Sequence, residues 1–103
     1  MKNALIDMLL KKGFTEQPIE NELLLNCNGL ILQREIQKDV EVAFYGVRTV
    51  SYTVRVFINR NSGICHVSYQ QGGREYKSRW YNTTGRRTYN AIVETARCAG
   101  FEI

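Results

Sequence analysis

Residues 47–60 constrain the fold more than any other stretch of the chain. Val50, Tyr52, Val54, Val56 and Ile58 fall at every second position, with Thr49, Ser51, Thr53, Arg55 and Phe57 between them. Side chains alternate across a β-strand, so this stretch reads as one long strand with an apolar face and a Thr/Ser-rich face. The apolar face requires a covering layer. The opposite face suits solvent, and Arg55 and Phe57 are the positions on it best placed to meet a ligand.

The neighbouring segments extend the β reading. Residues 22–27 and 30–37 flank Asn28-Gly29, the pair favoured in a type I′ hairpin because both turn positions need positive φ. In that register Leu25 opposes Leu32 and Cys27 opposes Leu30. Val40, Val42 and Phe44 alternate in a third strand. A turn over residues 59–63 leads into an antiparallel return over 64–70. Gln71-Gly72-Gly73 turns again, and residues 74–81 form the last strand.

Helices are expected only at the two ends. Asn3 can cap a first helix carrying Leu5, Ile6, Met8, Leu9 and Leu10, with Lys11 and Lys12 in its last turn and Gly13 as its stop. A second helix starts near Thr83 or Thr84, runs through Tyr89, Ile92, Val93 and Ala96, and stops at Gly100. Both end in Gly-Phe, which suits a glycine C-cap followed by an apolar contact. Pro18 marks the loop after the first helix. The expected architecture is α+β: an antiparallel sheet of about five or six strands with both helices packed on one face, in a single domain over residues 1–103.

Composition agrees with a folded domain. The chain has 103 residues, 44% hydrophobic and 11% aromatic, enough for a core without disulfides or a metal. Cys27, Cys65 and Cys98 are three widely spaced thiols with no CxxC pair and no Cys/His cluster, which fits free thiols in a reducing compartment. No apolar run reaches the length of a membrane span, and Asp7 interrupts the apolar start of the chain. A cytoplasmic location is expected, with no metal, cofactor or membrane partner.

Charge narrows the class of function. Residues 1–47 carry five Lys/Arg and seven Asp/Glu, a net charge of −2. Residues 48–103 carry nine Lys/Arg against Glu75, Glu94 and Glu102, a net charge of +6, and eight of those nine cations are arginine. Arginine's planar, weakly hydrated fork suits phosphates, carboxylates and aromatic faces. The densest run is residues 74–87. Strand alternation puts Arg74, Tyr76, Ser78 and Trp80 on one side and Glu75, Lys77, Arg79 and Tyr81 on the other. Trp80 and Tyr76 are expected as core anchors, leaving Lys77, Arg79 and Tyr81 on the exposed face. Cations interleaved with an aromatic can track a phosphate backbone and stack a base. A solvated strand kept soluble by its charges is the plain alternative.

Arg86 and Arg87 fall in the first turn of the second helix, where cations oppose the dipole by a few tenths of a kcal/mol. A bound anion would offset that repulsion. The outline of helix, antiparallel strands and a closing helix with a basic start is similar to the double-stranded-RNA-binding domain. The chain departs from that family in its larger number of strands and in lacking a lysine-rich signature at the last helix.

Catalytic chemistry finds little support. His66 is the single histidine, and its neighbour Cys65 should face the opposite side of the strand, so the two do not make a nucleophile–base pair. Glu35, Asp39 and Glu41 lack metal-loop spacing, and no Gly-rich phosphate loop is present. A non-enzymatic binding protein is expected. Its first candidate partner is nucleic acid, DNA or RNA, held by Arg74, Lys77, Arg79, Tyr81, Arg86 and Arg87, with Arg55 and Arg60 in support. The alternative is a protein-binding adaptor or inhibitor, of the kind carried by phages and mobile elements, docking on an acidic protein surface. The acidic first half could also pair with the basic half of a second copy in a homodimer.

Overall fold

The computed structural model describes residues 4–19, 28–44, 46–82 and 85–100. The element order is α1 (Ala4–Lys11), β1 (Thr15–Gln17), β2 (Gly29–Val42), β3 (Gly46–Asn59), β4 (Cys65–Gln71), β5 (Arg74–Tyr81) and α2 (Arg86–Cys98). The five strands form one antiparallel sheet in sequence order, β1-β2-β3-β4-β5. The fold is α+β, as the sequence implies.

The alternation in residues 47–60 places the core. Val54, Val56 and Ile58 of β3 are fully buried and meet Leu30 and Leu32 of β2, and Cys65, Val67 and Tyr69 of β4. Leu5 and Leu9 of α1, with Ile92 and Ala96 of α2, close over this face. Both helices therefore cover one side of β2–β4, and no described helix covers the other, although Thr53 and Ser68 on it are buried among their neighbours. At about 25 cal/mol per Å² of apolar area removed from water, each large side chain here contributes roughly 1.5–3 kcal/mol.

The helices stop where their glycines allow. Gly13 takes φ +89° and Gly100 φ +86°, conformations disfavoured for residues with a Cβ. After α1, Phe14 N donates to Leu9 O at 3.1 Å and the Phe14 ring is buried. Phe101, its expected counterpart after α2, lies outside the described residues. Two cations of β2 complete these ends. Arg34 Nη1 donates to Lys12 O, and Lys38 Nζ to Gly100 O, each at 3.0 Å. Positive charge beside exposed helix C-terminal carbonyls is favourable.

Three local expectations are corrected. The type I′ turn at Asn28-Gly29 is absent: Asn28 has φ 56°, but Gly29 is the first residue of β2, paired with Asn59. Leu32 is flanked by Glu16 and Val56 instead of Leu25, so a short strand missed in the sequence, β1, occupies that side. The expected strand arm 22–27 lies outside the described residues, as do Asn3, Thr83 and Thr84; Gly85 is the N-cap of α2. The separate third strand around Val40–Phe44 also fails, because β2 runs unbroken to Val42 and Phe44 sits in the following turn at φ 72°.

The unbroken β2 and β3 are each 14 residues long, whereas β4 pairs with β3 only from Tyr52 to Ile58. Residues 37–42 and 46–51 therefore project as a two-stranded arm. At about 3.3 Å per residue the arm extends roughly 20 Å, consistent with overall dimensions of 52 × 28 × 21 Å. Val40, Val42, Phe44 and Val47 are exposed along it, Phe44 completely.

Candidate functional site

The arginine-rich segment does not present the faces its alternation implies, and one residue is responsible. The tight turn at Gly72-Gly73 pairs Gln71 with Arg74 and Gln70 with Glu75. Continued without interruption, that register would put Tyr76 opposite Tyr69 and Trp80 opposite the buried Cys65. A bulge intervenes: Tyr69 pairs with Lys77, and Tyr76 is left as the extra residue. One inserted residue moves every later side chain to the opposite face.

The consequence is a correction to both aromatic anchors. Trp80 pairs with His66 on the open face and is 62% exposed, and Tyr76 is 58% exposed, its ring 6.3 Å from that of Tyr69. Arg79 now lies opposite Val67, and Tyr81 opposite Cys65, on the side covered by α2. Tyr81 packs against the core edge, while Lys77 and Arg79 remain exposed.

This reversal brings Arg79 and Tyr81 of β5 to Arg86, Arg87 and Asn90 of α2 around one groove, with Glu94 on its wall. The Arg79 guanidinium carbon is 5.6 Å from the Tyr81 ring centroid, within cation–π range. Arg86 and Arg87 occupy the first turn of α2, which holds no acidic residue and whose N-cap, Gly85, contributes no side chain. Among the described residues, Arg79, Arg86 and Arg87 make no hydrogen bond or ion pair to another side chain. Lys77 lines an adjoining hollow against Thr95 and Cys98 of α2.

The remaining expected residues are elsewhere. Arg74 pairs with Gln71 at the far end of β5. Arg60 lies in the β3–β4 turn, its Nε donating to Asn28 O at 3.0 Å. Arg55 lies on the open face, where Nε and Nη2 both donate to Gln33 Oε1 at 3.0 and 2.8 Å. Cys65 is buried and His66 is on the open face against Trp80, so these neighbours are separated by the sheet. Among the described residues, no three His, Cys, Asp or Glu side chains are grouped as metal ligands, and no helix is long and apolar enough to cross a membrane.

Sequence reasoning missed Asn90 and Glu94 as groove residues, and placed Trp80 on the wrong face. The first two sit one and two helical turns beyond Arg86 and Arg87, so helical spacing from those arginines was the available signal. An apolar cleft lined by Leu5, Met8 and Tyr89 also adjoins Arg86 where α1 meets the start of α2. Comparison with protein-family models, with curated proteins and with solved structures finds no match.

Proposed function

We propose that this chain is a non-enzymatic nucleic-acid-binding protein that holds the phosphate backbone in the groove between β5 and α2. The observation that supports it is the convergence of Arg79, Arg86 and Arg87 on one groove whose single carboxylate, Glu94, forms no ion pair with any of them, so that cations outnumber anions there three to one among the described residues. Like charges gathered this way repel one another, and two of them also oppose the α2 dipole. A phosphate bound there relieves both terms and takes backbone N–H donors from the helix start. Tyr81 on the groove floor supplies a flat ring beside Arg79. Lys77 lengthens the basic track along β5.

Fluorescence anisotropy of labelled DNA and RNA, titrated at two salt concentrations, tests this reading. Three phosphate contacts give a log–log salt slope of about −2 to −3. Replacing Arg79 and Arg86 with Glu should abolish binding at moderate salt and leave the melting temperature nearly unchanged, since Arg79 and Arg86 are both exposed. Absence of binding even at low salt refutes the proposal and leaves docking on an acidic protein surface as the surviving reading. That second reading draws on the edge of β5, which among the described strands pairs only with β4 and could accept a partner strand. A protein partner or a second copy would show a defined stoichiometry in light scattering.

A further inference from the structure

The face of the sheet left open by the helices carries an unbroken cross-strand row. Ile31, Phe57, His66 and Trp80 are register partners on β2, β3, β4 and β5. Trp80 leans over His66, with ring centroids 4.6 Å apart and planes inclined by 35°, and meets Phe57 edge-on at 6.5 Å. The indole remains 62% exposed although it is packed on one side, so it presents a fixed aromatic surface to solvent.

The surroundings favour one kind of occupant. The next row along the strands is Gln33, Arg55, Ser68 and Ser78, which is polar, with Arg55 clamped by Gln33 two residues from Phe57. On this face the nearest carboxylates among those register partners, Glu35 and Glu75, come one row later. At about 3.3 Å per residue that is roughly 13 Å from the aromatic row. On the side of Gln33, Arg55, Ser68 and Ser78 the row is bordered by amide, hydroxyl and guanidinium groups; on the other, Asn59 and the exposed Ile64 stand at the β3–β4 turn. Such a strip is too narrow for the roughly 800 Å² each partner buries in a stable protein interface. Flat rings beside hydrogen-bonding groups and a cation match an unpaired nucleobase and its phosphate.

We infer that the Phe57–His66–Trp80 row stacks unpaired bases, so that the preferred ligand is single-stranded nucleic acid. The inference rests on the nucleic-acid reading above and assigns it a substrate class. Trp80 and Arg79 are consecutive on the edge strand β5 and face opposite sides. A flexible strand can pass around that edge, with bases on the open face and phosphates in the arginine groove. A duplex keeps its bases paired and stacked and has none to offer the row.

Trp80 is the single tryptophan of the chain, so its emission reports directly on its own environment. The test uses the full chain with a labelled single strand of about 15 nucleotides, a length near one site, and a blunt duplex of the same sequence. The single strand is expected to quench Trp80 emission at saturation and the duplex to leave it unchanged. Trp80→Ala should weaken single-strand binding about tenfold to a hundredfold with little effect on the duplex, and Trp80→Phe should recover most of the loss. Matching circular dichroism spectra confirm that the variants fold, and quenching in the unsubstituted protein needs no variant. Equal binding of single strand and duplex, without quenching and insensitive to Trp80→Ala, overturns this inference while the nucleic-acid reading stands. Failure of both to bind at low salt overturns both.

Discussion

Cys65 and His66 are consecutive, yet strand alternation puts the thiol in the core and the imidazole on the open face. Burial disfavours the charged thiolate and pushes the Cys65 pKa from its ordinary 9.0 up to about 11. An unfolded chain releases this proton first, so stability present below pH 9 is lost as pH rises from 9 through 11. Tyr69, four residues further along β4, is shifted the same way, chiefly by burial, and adds to the alkaline loss. Urea denaturation across that range should show the decline, and Cys65→Ala should lessen it, leaving the Tyr69 contribution, while lowering stability at neutral pH through the small cavity it leaves. Cys98 is exposed, so alkylation of the native protein followed by peptide mass mapping should label Cys98 well before Cys65. Equal labelling would contradict the burial of Cys65. The same alternation rule accounts for Trp80, whose exposure follows from its pairing with His66 in place of Cys65.

At the scale of elements, the helix ends are where distant parts of the sequence cooperate. Gly100 has φ +86°, and a Cβ there would run into the Lys38 side chain that caps the last carbonyls of α2. Gly100→Ala should therefore destabilise by about 1–2 kcal/mol from backbone conformation alone. Lys38→Ala should cost about 0.3–1 kcal/mol, the value of a cation at a helix C-terminus. Because Lys38→Ala also removes the clash, the double variant should be less destabilised than the sum of the single changes, a coupling readable in a double-mutant cycle. Strict additivity would place Lys38 away from Gly100. The glycine stops were legible because a C-cap is a local signal. So were β3 and the turn at Gly72-Gly73, which depend on period-two alternation and on a glycine pair. Strand β1 was not legible, since its three residues, Thr15, Glu16 and Gln17, carry no apolar alternation and are held by pairing with β2. The Tyr76 bulge left no mark either: one extra residue changes no composition and no period, yet it reverses Lys77, Arg79, Trp80 and Tyr81. The arginine groove was thus legible in its members and illegible in its arrangement.

Across the whole molecule, the core and the arginine groove occupy one end and the β2–β3 arm the other. The described core residues of β2 and β3, Leu30, Leu32, Val54, Val56 and Ile58, all precede or follow the projecting segment, which contributes none of the fully buried side chains. A two-stranded ribbon has little stability of its own, so the arm depends on the body far more than the body depends on the arm. Asp39 and Thr49 form a natural place to shorten it: they are register partners, and Thr49 Oγ1 donates to Asp39 Oδ1 at 2.8 Å. Replacing residues 40–48 by Asn-Gly would close the hairpin there with a type I′ turn and retain Lys38 at the end of α2. The shortened chain should melt within about 4 °C of the full chain, because surface changes of this kind alter stability by about 0.5 kcal/mol. Phe44 and Val47 would leave with the excised segment, so any self-association driven by their exposure should fall in light scattering. Salt-dependent binding of nucleic acid should be retained, since Arg79, Arg86 and Arg87 all lie on β5 and α2. A chain that unfolds on shortening would show that the arm supports the core. A chain that folds but no longer binds would move the interface from the arginine groove to the arm.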